Sequence, residues 1–265
     1  MRKKKDKPRC IIERFPPERY AIVDLLNNAK KHPTIYGFLE LDVTKARKYI
    51  QEYKEKTGEQ LSFTGFIVYC MANAIDENKR LHARRKGKNK LVIFDEVDIM
   101  TIVEREFEGK KAPIGYVVRA ANKKSYKEIH DEIRTAQISK LGATMQTKTQ
   151  LQYKKMPWFI KKAIWRKVNK DPYFKKKFSG TCSLTAIGMF GEGTGYGLTP
   201  SGDTIGITLG GIGEKPAVID GKIVIREFLS ITVGFDHDIV DGAPATRFTM
   251  RLKELIESGF GLIPE

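Results

Sequence analysis

The spacing of apolar residues along the chain changes repeatedly between a helical and a strand-like period. Apolar positions fall on one face over residues 16–31, 44–56 and 125–139, which predicts three amphipathic helices. Residues 62–75 are apolar nearly all round, a pattern typical of a buried central helix. Residues 34–43 alternate between apolar and polar side chains, which predicts a strand. Helices and strands therefore both contribute to the fold.

Short apolar runs rich in β-branched residues predict further strands. These are placed at residues 10–13, 91–94, 97–105, 114–119, 181–187, 205–209 and 230–235. Asp220 and Gly221 lie between two such runs, AVI and KIVI, and predict a tight hairpin. Residues 79–90, which include His82, are basic and predict an exposed loop. The elements do not follow a regular βαβ alternation, so we predict an α+β fold with a large mixed sheet flanked by helices.

The C-terminal strand, turn and helix contain the strongest candidate for chemistry. His237 lies at the corner between the strand ending at Phe235 and a predicted amphipathic helix. Asp236 precedes it by one residue, and Asp241 follows four residues later, directly before Gly242. Carboxylates at these positions can fix the orientation of an imidazole, as a general base requires. The alternative is a structural histidine whose hydrogen bonds are satisfied by these aspartates.

Three segments of the chain carry a family resemblance. The motif H-x-x-x-D-G lies in SITVGFDHDIVDGAPATRFTMRLKELIES, and the segments GTCSLTAIGMFG and GGIGEKPAVIDGKIVIREFLS precede it in that order. Together they resemble the catalytic domain of the dihydrolipoamide acyltransferases of 2-oxoacid dehydrogenase complexes, whose motif is shared by chloramphenicol acetyltransferases. The resemblance is closest over residues 180–258 and extends to residues 10–140.

The resemblance implies a chloramphenicol acetyltransferase-like fold, a coenzyme A thioester as acyl donor, and a homotrimer with active-site channels between subunits. His237 would be the general base. Matching T-C-S-L-T-A-I-G to the family pattern assigns the hydroxyl that stabilises the oxyanion to Thr185, with Ser183 as the alternative. Asp241 and Gly242 would hold the turn, and Asp236 would assist. Thr185 could equally be an ordinary strand threonine.

The chain departs from the family pattern in four places. No lipoyl or peripheral-subunit-binding domain precedes the catalytic region, so we expect a lipoyl acceptor to be carried by another protein. Asp238 replaces the usual arginine after the histidine, Ala186 replaces the usual asparagine or serine, and residues 192–203 lack the proline-rich stretch. The leading prediction is an acyltransferase acting on a thiol, such as a dihydrolipoyl group, or on a hydroxyl. The alternatives are a catalytically silent trimeric scaffold and a membrane-peripheral binding module that uses residues 154–177.

Charge is distributed unevenly along the chain. Most of the net charge of +16 lies in residues 1–9 and 154–177. Residues 1–9 predict a flexible basic tail, and residues 10–265 predict one catalytic domain with a basic amphipathic insertion at about residues 145–179. The tryptophans and lysines of the insertion are typical of a helix on an anionic membrane surface. A helix docked on its own domain is the alternative, and no motif accompanies the charge to favour nucleic acid.

Several other classes of function lack their sequence signals. The three cysteines, Cys10, Cys70 and Cys182, are far apart and odd in number, which predicts a reducing compartment without disulfides. With no signal peptide or membrane span, we predict a cytoplasmic protein, membrane-peripheral if the insertion binds lipid. The four histidines have no metal-binding spacing, so no metal is predicted. The glycine-rich residues 188–197 match no P-loop, and the sequence assigns no coenzyme A contacts.

Overall fold

The computed structural model describes residues 10–16, 19–107, 110–138, 152–153, 156–187 and 193–263. The predicted tail at residues 1–9 and parts of the predicted insertion lie outside these ranges. The α-helices are α1 (Arg19–Ala29), α2 (Thr44–Thr57), α3 (Phe63–Asp76), α4 (Tyr126–Ile138), α5 (Trp158–Lys170), α6 (Pro172–Ser179) and α7 (Gly242–Ser258). The strands are β1 (Thr34–Asp42), β2 (Arg84–Lys86), β3 (Lys90–Val92), β4 (Ile99–Phe107), β5 (Lys110–Val118), β6 (Cys182–Ala186), β7 (Ile205–Ile219) and β8 (Lys222–Asp236).

One six-stranded sheet organises the fold. Its strand order is β1-β8-β7-β6-β4-β5, and β2 and β3 form a separate two-stranded sheet. Strand β6 runs parallel to both of its neighbours, β4 and β7. The pairs β1–β8, β7–β8 and β4–β5 are antiparallel. The predicted α+β class with a large mixed sheet flanked by helices is confirmed.

The main hydrophobic core lies on one face of this sheet, beneath α3 and α7. Alternate strand residues such as Leu184, Ile207 and Val233 are buried there. Helix α3 contributes nine buried residues of its fourteen, which confirms the predicted central helix. The hairpin between β7 and β8 also forms as predicted, with Asp220 at φ 50° and Gly221 at φ 74°, the left-handed conformations that a two-residue turn needs.

The opposite face of the sheet is covered by the segment that precedes β7. A Cβ atom added to Gly210 would lie 1.9 Å from the carbonyl oxygen of Gly195, and one added to Gly211 would lie 1.9 Å from that of Gly193. Only glycine permits backbone to approach this closely. The glycine pair therefore lets this segment lie against the strand, next to an irregularity between Leu209 and Ile212.

The predicted strand at residues 91–94 forms as β3, which pairs with β2. Two other predictions about local structure are wrong. Residues 10–13 form no strand and are exposed. The basic stretch 79–90 is not simply an exposed loop, since His82 and Arg84 are buried. Burial lowers the pKa of His82 to about 4, and its ring contacts Thr181 Oγ1 at 3.0 Å and the Phe94 carbonyl oxygen at 3.1 Å.

The predicted insertion contains two consecutive helices. Asp171 caps α6 by accepting hydrogen bonds from the N–H groups of Tyr173 and Phe174, and Pro172 occupies its first turn. Helix α5 is anchored where Trp165 Nε1 donates to the hydroxyl of Tyr153 at 2.9 Å. This contact favours the docked helix. Trp158 remains 73% exposed, so the membrane role stays a prediction. Within the described residues, no helix has the length and apolar character needed to cross a membrane.

Candidate active site

The turn that carries His237 is held by the backbone on both sides. The His237 N–H donates to the carbonyl oxygen of Pro33 at 2.7 Å, and the Asp236 N–H donates to that of Thr204 at 2.9 Å. The N–H groups of Ile239 and Val240 both donate to the Asp236 carbonyl oxygen at 3.0 Å. The result is a fixed backbone from which the imidazole projects.

The imidazole of His237 itself is accessible. Its side chain is 45% exposed, and Nδ1 lies 3.7 Å from Oδ1 of Asp241, which is 86% exposed. That distance suits an ion pair but is too long for a hydrogen bond. Gly242 does not have a positive φ and begins α7. The turn therefore does not depend on a left-handed glycine at residue 242.

Asp236 does not orient His237. It is buried, and its Oδ2 accepts a hydrogen bond from Nδ1 of His32 at 2.7 Å while its Oδ1 accepts from the N–H of Asp238 at 3.1 Å. Burial alone raises the pKa of Asp236, but the hydrogen bond and charge of His32 outweigh it and keep the pKa below the usual value. The prediction that Asp236 assists His237 is therefore wrong, because the buried carboxylate is hydrogen-bonded to His32 instead.

Two arginines that the sequence reasoning did not select lie beside this turn. Arg85 Nη1 donates to Oδ2 of Asp238 at 2.8 Å, so the residue that departs from the family pattern has a cationic partner. Arg84 is buried and donates from Nη1 to the Gly202 carbonyl oxygen and from Nη2 to Asp203. The only sequence signal for either arginine was the basic composition of the stretch, which is equally typical of solvated loops.

Thr185 and Ser183 lie on the sheet face opposite the main core. The Oγ atom of Ser183 lies 3.1 Å from that of Ser201, whereas half-buried Thr185 stands in register with Thr208 of β7. Thr208 in turn pairs with Thr232 of β8. Because Ser183 has a hydroxyl partner next to it, Thr185 remains the better candidate for a hydrogen-bond donor to a ligand.

Thr185 and His237 are not brought together within one chain. Strand β7 separates β6 from β8, so the Thr185 hydroxyl does not lie on a strand next to the one that leads to His237. Two strand spacings and four residues along β8 put Thr185 about 10 Å across and about 13 Å along the sheet from Asp236. A shared site for the two residues therefore requires a second copy of the chain.

A buried charge cluster lies behind the turn. Asp203 accepts from Lys175 Nζ at 2.7 Å and also from Arg84, and all three side chains are at least nine-tenths buried. Burial alone raises the pKa of Asp203, but Lys175 and Arg84 outweigh it and hold the pKa at about 2. Burial lowers the pKa of Lys175. This cluster joins α6 of the predicted insertion to the segment that precedes β7.

We expect Asp203→Asn to lower the free energy of unfolding by about 3–5 kcal/mol at pH 7, because it leaves the buried cations Lys175 and Arg84 without their counter-charge. The pKa of Asp203 is lower in the folded chain than in the unfolded chain. Its carboxylate therefore stabilises the fold above about pH 4 and loses this effect as the pH falls towards about 2. Urea unfolding at several pH values measures the difference.

The matched control is Asp131→Asn, because Asp131 is 57% exposed and pairs with Lys127 on the surface. Exposed pairs contribute about 0–1 kcal/mol. Equal losses of stability in the two variants would contradict the role assigned to Asp203. So would an Asp203→Asn variant with the same dependence on pH as the wild type.

A second cluster has the composition of a metal site. Glu59, His130 and Asp131 present ligand atoms within 4.8 Å of one another. His130 Nδ1 accepts from the N–H of Ser62 at 3.0 Å, and its Nε2 lies 3.0 Å from Glu59. Lys127 pairs with both carboxylates. These hydrogen bonds and ion pairs account for the cluster without an ion.

Comparison with known families identifies the class of protein. The family described as 2-oxoacid dehydrogenases acyltransferase (catalytic domain) matches residues 12–152 and 167–262. The chain belongs to this family. The unmatched residues 153–166 fall inside the predicted insertion and contain most of α5.

Two relatives of this chain are named as components of dehydrogenase complexes. The chain is 29% identical over 227 residues to the dihydrolipoyllysine-residue succinyltransferase component of the 2-oxoglutarate dehydrogenase complex of Rickettsia bellii, covering 83% of this chain and 48% of that protein. It is 25% identical over 255 residues to the acetyltransferase component of the pyruvate dehydrogenase complex of Staphylococcus epidermidis, covering 93% and 51%. The chain thus spans about half the length of these curated relatives.

Solved structures share the fold. A probable dihydrolipoamide acetyltransferase from Listeria monocytogenes has a TM-score of 0.68 at 20% identity, with 94% of this chain and 95% of that chain covered. The cubic core of a pyruvate dehydrogenase multienzyme complex has a TM-score of 0.65 at 17% identity, with coverage of 93% and 92%. The fold that the sequence resemblance implied is confirmed.

Proposed function

We propose that this chain transfers an acyl group between a coenzyme A thioester and a thiol, and that His237 is the general base. The observation that carries the proposal is the half-exposed imidazole on a turn fixed by the hydrogen bond from the His237 N–H to Pro33. A general base must be accessible to its substrate and must be held in a defined position. The half-exposed imidazole on a fixed turn meets both conditions. The family membership and the names of the relatives support acyl transfer as the reaction.

In the proposed reaction, Nδ1–H of His237 faces Asp241 and the free Nε2 takes the proton from the acceptor thiol. The sulfur forms a bond to the thioester carbonyl carbon, whose oxygen becomes negatively charged. The Thr185 hydroxyl donates a hydrogen bond to this oxyanion. When the intermediate collapses, the bond to the coenzyme A sulfur breaks and the imidazolium returns the proton to that sulfur. No nucleophile on the protein is required.

The separation of His237 from Thr185 supports a site shared between two copies. The sheet register places the two residues on strands that are not neighbours, so each site would take its histidine from one subunit and its threonine from another. A homotrimer, as the family resemblance implies, would contain three equivalent sites of this kind. The solved cubic core of a pyruvate dehydrogenase complex, with the same fold, is consistent with assembly into oligomers.

A dihydrolipoyl group on a separate protein is the proposed acceptor. The curated relatives are named as transferases acting on a dihydrolipoyllysine residue, and they are about twice as long as this chain. We propose that a lipoyl-carrying partner from a dehydrogenase complex presents this acceptor thiol, with acyl-coenzyme A as the donor. Asp238, which is paired with Arg85, would place a negative charge next to the histidine where the family pattern has a positive one.

The proposal is tested by thiol release from acetyl-, propionyl- and longer acyl-coenzyme A, with dihydrolipoamide, simple alcohols and amines as acceptors. We expect turnover to depend on a thiol acceptor, because the base acts on a dissociable S–H proton. Turnover with alcohols but not with dihydrolipoamide would show that the acceptor group is a hydroxyl and not a thiol. A stable oligomer that neither binds coenzyme A nor turns over any pair would favour the silent scaffold.

A further inference from the structure

Most of helix α5 lies in residues 153–166, the stretch that the family match leaves out. The proposed acyl transfer uses none of its side chains. The inward side of the helix is docked on the rest of the chain, since Val168 is buried and Trp165 donates to the hydroxyl of Tyr153. The Trp165 ring also meets that of Phe178 in α6 edge-to-face. The apolar side of α5 is therefore occupied by its own domain.

Two aromatic side chains at the start of α5 are exposed instead. Trp158 is 73% exposed and Phe159 is 59% exposed, and the two rings meet edge-to-face with their centroids 6.3 Å apart. Tryptophan is enriched where proteins meet the headgroup region of a bilayer, because its ring is apolar and its N–H group can donate a hydrogen bond. The pair has the chemistry of an anchor at such an interface.

The outward side of α5 carries positive charge. Residues three or four positions apart lie on one side of a helix. By this spacing Lys162, Arg166 and Lys170 form one row, which Phe159 continues at the N-terminal end. All three cations are exposed, and Lys162 Nζ lies 5.8 Å from the centre of the Trp158 ring. The cations and the aromatic pair therefore form one continuous surface, which we call the α5 face.

Neighbouring carboxylates do not balance the charge of the α5 face. Helices α5 and α6 contain one acidic residue, Asp171, and its carboxylate accepts the capping hydrogen bonds of α6. Among the described residues, the ion pairs of these two helices involve only Lys175 and Lys176. Unpaired cations beside exposed aromatic rings are complementary to a surface that is negatively charged outside and apolar beneath. A bilayer that contains anionic lipids is such a surface.

We propose that the α5 face binds the surface of a bilayer that contains anionic lipids. Trp158 and Phe159 enter the headgroup region, and the row of cations lies on the lipid phosphates. An isolated amphipathic helix would instead bury its whole apolar side in the lipid. Here Trp165 and Val168 stay docked on the domain, so the helix binds without leaving it. The proposal is independent of acyl transfer, and lipid binding is measured without substrates.

The test is co-sedimentation of the full chain with vesicles of phosphatidylcholine and phosphatidylglycerol, compared with vesicles of phosphatidylcholine alone. We expect the chain to bind the anionic vesicles and not the neutral ones. Added salt should weaken this binding, because it screens the attraction between exposed charges and the lipid surface. Equal binding to both kinds of vesicle, or binding to neither, would overturn the proposal.

A variant with Lys162→Gln, Arg166→Gln and Lys170→Gln tests the row of cations. We expect it to bind anionic vesicles roughly 100-fold more weakly at low salt, from roughly fivefold for each basic residue near the lipid surface. Because these side chains are exposed, the melting temperature should stay that of the wild type.

The matched control removes the same charge from exposed positions on α2, as Lys45→Gln, Lys54→Gln and Lys56→Gln. This variant should bind anionic vesicles nearly as well as the wild type. Equal weakening by the two triple variants would reduce the effect to the net charge of the chain and would overturn the proposal.

Tryptophan fluorescence tests the aromatic anchor. The chain has two tryptophans, and Trp165 is already held by Tyr153, so a change on binding reports on Trp158. Anionic vesicles should move the emission to shorter wavelength. Trp158→Phe should keep most of the affinity and lose this shift, whereas Trp158→Ala with Phe159→Ala should bind roughly tenfold more weakly or worse. Binding with unchanged emission would contradict the entry of Trp158 into the lipid.

Two other occupants of the α5 face would give different results. If the face were a contact between subunits, Trp158→Ala with Phe159→Ala would form smaller oligomers than the wild type in solution. If the face bound nucleic acid, the chain would bind single-stranded DNA and not anionic vesicles. Either result would overturn the proposal.

Discussion

Replacing His237 with alanine is expected to lower kcat for acyl transfer by about 100- to 10,000-fold, the usual contribution of a positioned general base. Without the imidazole, the acceptor thiol must lose its proton to solvent. KM for the thioester should change little, because the ring acts on the acceptor proton. Steady-state kinetics with acyl-coenzyme A and dihydrolipoamide give both values.

The backbone of the turn should survive this substitution. The hydrogen bond from residue 237 to Pro33 involves the main chain, and the imidazole is 45% exposed, so the melting temperature and oligomer size of His237→Ala should match those of the wild type. A correctly assembled variant that keeps its kcat within about threefold would remove His237 from the mechanism. Asp241→Asn offers a graded comparison, since it keeps the shape of a residue 3.7 Å from the ring.

The second large effect is expected at Thr185. Thr185→Val removes the hydroxyl while keeping the shape of the side chain, and we expect kcat to fall by about 100- to 1,000-fold, as when an oxyanion donor is lost. Thr185→Ser should retain most of the activity because the donor remains. The same kinetic assay measures all three enzymes.

Ser183→Ala is the control for the register of β6. Ser183 points to the same sheet face, but its hydroxyl lies 3.1 Å from that of Ser201. We expect a much smaller effect from its removal. The opposite result, with Ser183→Ala inactive and Thr185→Val active, would move the oxyanion role to Ser183. Strand β6 would then still supply the oxyanion donor, but the donor would be Ser183 and not Thr185.

Local patterns in the sequence were sufficient for most of the secondary structure. Gly58, with φ 76°, ends α2, and the hydrogen bonds between Ser125 and Glu128 support the start of α4. The Asp220–Gly221 turn forms because only two consecutive residues determine it. His237 was found in the same way, since strand, turn and helix are contiguous in the chain.

Contacts between distant residues could not be read from these patterns. His32 and Asp236 are separated by 204 positions, and Arg84 and Asp203 by 119. A lysine- and arginine-rich stretch looks solvated when no partner is visible, although Asp203 and the Gly202 carbonyl oxygen draw Arg84 into the interior. The strand order, which separates Thr185 from His237, is likewise a property of the whole sheet and not of either segment.

Complementation between two inactive variants tests the central claim most directly. His237→Ala and Thr185→Val subunits, separately tagged and co-expressed, would be purified as mixed oligomers and assayed for acyl transfer. If each site takes its histidine from one subunit and its threonine from the next, random mixing should restore about a quarter of the sites. Recovery to that level is the predicted result. Mixed oligomers as inactive as either parent would contradict a shared acyltransferase site.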